Sequence, residues 1–96
     1  MLILITYDVD TTTKAGEKRL RKVAKECVNY GQRVQNSVFE CLITEAQFVG
    51  LKATLASIIN ETSDSIRFYF LGTNWQRRIE KIGKVTSYDP TEELII

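Results

Sequence analysis

The sequence predicts an α+β domain of ferredoxin-like βαββαβ order, with an antiparallel sheet and both helices on one of its faces. Three observations carry this. Two segments, near residues 14–30 and behind Thr44, place their apolar residues at helical spacing. Extended stretches rich in β-branched and aromatic residues alternate with them as strand, helix, strand, strand, helix, strand. No repeat, low-complexity tract or linker divides the 96 residues, so 1–96 reads as a single domain.

The first strand is Leu2-Ile3-Leu4-Ile5-Thr6-Tyr7, a buried aliphatic run that ends on Asp8. A carboxylate at the end of a central strand needs a cation, a metal ion or water beside it, or else it merely terminates the strand. Asp10 follows and suits a loop-capping role, with support of a metal ion as the alternative; one of Thr11, Thr12 and Thr13 can cap the next helix. In that helix Leu20, Val23, Ala24, Cys27 and Val28 line one face, and Gly31 is read as its stop. Arg33 to Thr44 is extended, with a bend or bulge at Gln35-Asn36-Ser37. Thr44-Glu45-Ala46-Gln47 matches a capping box, and Phe48, Leu51, Leu55, Ile58 and Ile59 follow at helical spacing. Glu61-Thr62-Ser63-Asp64 is a polar turn. Ile66 to Leu71 alternates Ile66/Phe68/Phe70 against Arg67/Tyr69/Leu71. After Gly72 the chain turns, and a short last strand is expected around Ile79–Val85.

Composition narrows the chemistry. Histidine is absent, which excludes a Ser/His or Cys/His catalytic pair and a His-ligated zinc. Cys27 and Cys41 fit no metal spacing and no disulfide framework, so buried free thiols are expected. No apolar run is long enough to span a membrane, and Met1 leads straight into the strand without a basic leader, which points to the cytoplasm. The net charge of +1 hides an asymmetry. Residues 14–33 hold seven Lys/Arg against Glu17 and Glu26, whereas the rest holds six basic and ten acidic residues. Such a basic segment is either a solvated helix face or a polyanion site. Lys22 and Lys25, beside Arg19 and Arg21, are candidate phosphate contacts, and Arg77 and Arg78 are candidates to extend them. Ser37 is either a turn residue or a donor to phosphate. Trp75 and Tyr88 either stack on a base or finish an apolar edge.

The strands carry apolar side chains toward both faces (Leu2 and Leu4 against Ile3 and Ile5; Phe39 and Cys41 against Val38 and Leu42). Helices cover one face only. The other face, and the closing Leu94-Ile95-Ile96, are explained by a symmetric homodimer. Residues 86–96 are expected to be a carboxyl-terminal extension that contacts the partner protomer and adds a strand to it.

Ile5-Thr6-Tyr7-Asp8, then Arg19-Leu20-Arg21 on a basic helix, then Arg33-Val34-Gln35-Asn36-Ser37-Val38-Phe39-Glu40 resembles the small CRISPR-associated Cas-two family of the spacer-acquisition module. The block from Gln35 to Glu40 is the specific part. The resemblance implies a ferredoxin-like homodimer with swapped carboxyl-terminal strands. It implies that Asp8 is the catalytic and metal-binding residue, with two copies sharing one Mg2+ or Mn2+ across the dimer axis. It associates Tyr7, Arg19, Arg21, Arg33 and Phe39 with substrate or activity. It also implies endonuclease action on RNA or double-stranded DNA, and a complex in which the dimer bridges two dimers of the CRISPR integrase on duplex DNA.

The residues suit that chemistry. Hard oxygen ligands select Mg2+ or Mn2+, and a bound ion that activates water makes histidine unnecessary. Two readings follow: a metal-dependent endonuclease built on Asp8, or a non-catalytic scaffold that grips DNA through the basic helix. A small-molecule sensing module of the same fold leaves the basic segment unexplained.

Overall fold

The computed structural model describes residues 1–83. The chain runs β1 (Leu2–Asp8), α1 (Lys14–Val28), β2 (Gln32–Gln35), β3 (Val38–Leu42), α2 (Glu45–Ile58) and β4 (Ser65–Gly72), then a 3-10 turn over Trp75–Arg77. The four strands form one antiparallel sheet in the order β2-β3-β1-β4. This is the predicted βαββαβ arrangement. Strand β1 lies inside the sheet, so both of its edges are hydrogen-bonded.

Alternation along β1 sorts its side chains. Ile3, Ile5 and Tyr7 join the buried core with Phe39 and Cys41 of β3, Val23 and Cys27 of α1, and Leu51 and Leu55 of α2. Residues opposite them on β4 are Phe70, Phe68 and Ile66. Phe48 closes this side with edge-on contacts to both Phe68 and Phe70 at about 5 Å. The remaining residues of β1 and their partners form the face that no helix covers, where Leu2 and Glu40 are nonetheless buried and the Asp8 end is open. There Leu4 lies between Glu40 and Tyr69, and Thr6 between Val38 and Arg67. Leu42 and Tyr69 are exposed on that face.

Local chemistry sets the helix ends. Thr13 caps α1 by accepting from the Gly16 amide, and Glu17 favours the positive end of the dipole. Thr44 and Gln47 form the predicted capping box of α2 in both directions. Gly31 follows α1, but not because it adopts a left-handed cap; its φ is not positive. A Cβ there would collide with the Glu40 carbonyl and the Cys41 sulfur, so close approach of α1 to β3 selects glycine. The bulge near residue 35 is present as a register shift between Arg33 and Gln35. Cys27 and Cys41 are free and fully buried, and burial pushes both thiols up to about 12.

One expected element differs. Residues 79–83 form no strand; the chain leaves β4 at Gly72, with φ +73°, and enters the 3-10 turn, where Trp75 is buried. Trp75 thus finishes an apolar edge. Lys84, Val85, Tyr88 and the extension 86–96 lie outside the described residues.

Candidate functional site

Asp8 ends β1 on the uncovered face, opposite Ser65. Its side chain is exposed and makes no hydrogen bond or ion pair among the described residues. Asp8, Ser65, Thr6, Arg67 and Tyr69 line an open depression of about 260 Å³ that reaches down to Tyr7. An unencumbered carboxylate in an open depression can accept a proton, orient water or ligate a cation.

The other two aspartates at this end are occupied. Asp10 accepts from the Thr12 amide at 2.9 Å and the Thr12 hydroxyl at 2.7 Å, so it caps its loop. Those bonds lower its pKa. Asp64 has a fully buried side chain, and its Oδ2 is 2.8 Å from Arg19 Nε. It also accepts from the backbone amides of Asp10 and Asn60 at 3.0 and 2.9 Å. The Arg19 guanidinium, aided by those amides, holds the Asp64 carboxyl well below the usual carboxylate range. Asp64 therefore ties α1, the β1–α1 loop and the α2–β4 turn together, one residue before the partner of Asp8. Sequence reasoning passed over it as part of a polar turn. Its one signal was a carboxylate at the start of a strand, and its partners lie 45 and 54 positions away.

Three residues expected to touch nucleic acid have partners within the fold. Tyr7 is 6% exposed on the helix-covered side, stacked on Phe39 at 6.2 Å, with its hydroxyl donating to the Asn36 carbonyl. Burial raises its pKa. It supports the end of β1 from below, because its position alternates with the exposed Asp8. Arg19 directs its guanidinium at Asp64, so it ties α1 to the α2–β4 turn. Arg33 also faces the helix side, with its guanidinium carbon 5.2 Å from the centre of the Phe39 ring. Phe39 is fully buried and supports both Tyr7 and Arg33.

Arg21, Lys22 and Lys25 are exposed on α1, as are Lys14 and Lys18. The helix presents them on the side away from Val23 and Cys27. Ser37 is half-buried in the β2–β3 turn at the Asp8 end, where its carbonyl accepts from the Tyr7 amide at 3.1 Å. Arg77 and Arg78 are exposed beyond Gly72, at the opposite end of β4 from Asp8, and Arg78 donates to the Leu71 carbonyl at 3.2 Å. They do not extend the Asp8 end of the sheet. Among the described residues no three Asp, Glu or Cys gather as a metal cage. The oxygen donor of Asp8 suits a hard cation, but one chain offers too few ligands to enclose it.

Comparison with known proteins agrees with this architecture. Residues 1–79 match the family model for CRISPR associated protein Cas2. The CRISPR-associated endonuclease Cas2 of Halalkalibacterium halodurans is 56% identical over 95 residues, covering 99% of both chains. The CRISPR-associated endoribonuclease Cas2 of Chlorobaculum tepidum is 53% identical over 96 residues, covering all of both. The crystal structure of Streptococcus pyogenes Cas2 at pH 6.5 superimposes with a TM-score of 0.76 at 66% identity, over 86% of this chain and all of that one. A chain of a partial Cas6-RT-Cas1–Cas2 complex superimposes with a TM-score of 0.68 at 27% identity, over 98% of each. With the sequence match running from β1 past the 3-10 turn and the fold shared throughout, the chain belongs to the CRISPR-associated Cas2 family.

Proposed function

We propose that this chain is a CRISPR adaptation protein that hydrolyses phosphodiesters of nucleic acid with Asp8 as its catalytic carboxylate. One observation carries the reading: of the three aspartates at this end of the sheet, Asp8 alone is exposed and without a bond among the described residues, at the mouth of an open depression. The endonuclease and endoribonuclease names of the relatives support it. Mg2+ or Mn2+ is the proposed cofactor, held by Asp8 together with Asp8 of a second copy. When bound, such an ion lowers the pKa of water and neutralises charge on phosphate. Asp8 fixes the position of the reaction, Tyr7 and Phe39 hold the strand end rigid, and Arg21, Lys22 and Lys25 attract the polyanion from α1. No recognition-helix or zinc-finger motif is present in the sequence, so the contacts are proposed to be sequence-independent.

A second reading is favoured by the likeness to a chain of a Cas1-containing complex and by the exposed cations of α1. In it a homodimer bridges dimers of the Cas1 integrase and grips duplex DNA, without cleavage.

Wild type and Asp8→Asn, purified together, should be compared on duplex DNA and single-stranded RNA with Mg2+ or Mn2+. A loss of cleavage of about 100-fold or more on one substrate, with binding retained, supports the catalytic reading and fixes the substrate. Equal cleavage by the two proteins refutes it. Binding of duplex DNA by both, with cleavage by neither, selects the scaffold.

A further inference from the structure

We propose that Arg67 binds the phosphate group on which Asp8 acts, and that Tyr69 holds its guanidinium in position. The inference deepens the reading of Asp8 given above and rests on it for the identity of the ligand.

The strand register places the pair. Thr6 is opposite Arg67 and Asp8 is opposite Ser65 in the antiparallel β1–β4 ladder. Arg67 is therefore the diagonal neighbour of Asp8 on the uncovered face, a spacing of about 7–8 Å between backbones. Both side chains line the same depression. A carboxylate and a guanidinium so placed would ordinarily close into an ion pair, yet they do not. Arg67 instead turns along its strand, and its Nη1 donates to the Tyr69 hydroxyl at 3.4 Å. Both charges therefore remain available to a ligand that enters the depression.

Among the described residues Arg67 bonds to no side chain but that of Tyr69. Ile66 and Phe68, its neighbours in β4, pack against the core, whereas Arg67 is exposed. It has five N–H donors in a planar fork, and the Tyr69 hydroxyl occupies one. Three other arginines are engaged, Arg19 with Asp64, Arg33 with Phe39 and Arg78 with the Leu71 carbonyl, and Arg77 lies at the far end of β4. A phosphodiester brought to Asp8 alone would meet a like charge. Arg67 offsets that repulsion and can hold two non-bridging oxygens at once. Its charge also stabilises the additional negative charge that develops as a water oxygen bonds to phosphorus, giving up a proton to solvent, and the P–O bond to the leaving oxygen breaks as that oxygen takes a proton from solvent.

The test uses Arg67→Ala, Arg67→Lys, Tyr69→Phe and Asp8→Asn in the full chain, with fluorescein-labelled single-stranded RNA and duplex DNA as probes. Binding is measured in EDTA from 50 to 200 mM salt, on the order of the range where counterion release is read; cleavage is measured with Mg2+ or Mn2+. Arg67→Ala should weaken binding of the cleaved substrate about 10-fold and lower its log–log salt slope by about 0.7–0.9 per chain. It should also reduce kcat about 10-fold or more. Arg67→Lys should restore the salt slope but not kcat, because ammonium is a point charge without the fork. Tyr69→Phe should weaken binding about twofold with the slope intact. Unchanged binding and slope in a folded Arg67→Ala protein, on both probes, overturns the proposal even if Asp8→Asn abolishes cleavage. If Asp8→Asn cleaves like wild type while Arg67→Ala loses affinity and slope, the reading of Asp8 fails and Arg67 stands as a phosphate contact.

Discussion

Two aspartates stand at one end of the sheet, on either side of a single strand pair, and their surroundings are opposite. Asp64 is enclosed, ion-paired to Arg19 and bonded to two backbone amides from different loops. Asp8, opposite the next residue, Ser65, is exposed and bonded to nothing described. The first builds the end of the domain; the second is left available by it. The difference shows that charge content alone does not reveal which carboxylate the fold leaves available. What reveals it is hydrogen-bonding capacity that the described residues have not consumed.

Substituting each aspartate by alanine gives the widest separation. Asp64→Ala should lower the unfolding free energy by about 3 kcal/mol, because a charged acceptor of several bonds is lost from a buried position. For a domain of this size that is a fall in Tm on the order of 15 °C. Asp8→Ala should stay within about 0.5 kcal/mol of wild type. Circular dichroism melts measure both, and equal losses would erase the contrast. Acid should remove the Asp64 contribution selectively. Its native pKa lies below the ordinary 3.8, so the unfolded chain takes up that proton at higher pH than the folded one. The stabilisation is full above about pH 5 and shrinks as pH falls through about 4 and below. The gap in Tm between wild type and Asp64→Asn should therefore be constant from about pH 7 to 5 and narrow below about pH 4.

A smaller effect is expected at Gly16. A Cβ there overlaps the Asp10 carbonyl, inside the loop that Asp64 anchors. Gly16→Ala should cost about 1–3 kcal/mol despite the better helix propensity of alanine. Gly50→Ala, in α2 with open space around it, should instead stabilise by about 0.5–1 kcal/mol. Chemical denaturation of the two variants distinguishes close approach from propensity; parallel shifts would show that the loop yields freely.

The smallest effect sharpens the contrast on the basic side. Arg21→Ala should lower the salt slope of nucleic-acid binding by about 0.7–0.9 per chain and leave the melt unchanged. Arg19→Ala should do the reverse, lowering Tm while preserving the slope, since its guanidinium already serves Asp64. Two arginines one helical half-turn apart would thus separate cleanly in a titration. A slope lowered by Arg19→Ala would mean that the ion pair opens to accept phosphate.

Much of the fold was legible in the sequence because its signals are local. Helical spacing located α1 and α2, the Thr44–Gln47 box located the start of α2, and alternation sorted the two faces of β4. The site was legible only in part. The run Leu2 to Asp8 marks a strand ending on a carboxylate, and Asp10 and Thr12 advertise their turn within three residues. The partners of Arg19 and Tyr7 were not legible because they are remote: Asp64 is 45 positions from Arg19, and Asn36 is 29 from Tyr7. Spacing rules carry no information at that range. Residues 79–83, the described part of the strand expected around Ile79–Val85, are not in a strand for another reason. Its β-branched residues have extended propensity, but propensity makes a strand only where a sheet edge receives it, and residues 79–83 meet none.

The interior position of β1 also governs the order of assembly. Its two hydrogen-bonding edges are completed by residues 38–42 and 65–72. During synthesis β1 emerges first, and α1 can form as soon as its own residues appear. The strand itself cannot be fully paired until Gly72 has been made. Closing those long loops precedes the reward of pairing, which slows folding relative to a helical bundle of equal length. Until then an aliphatic strand with two open edges is the segment most in need of protection from other chains.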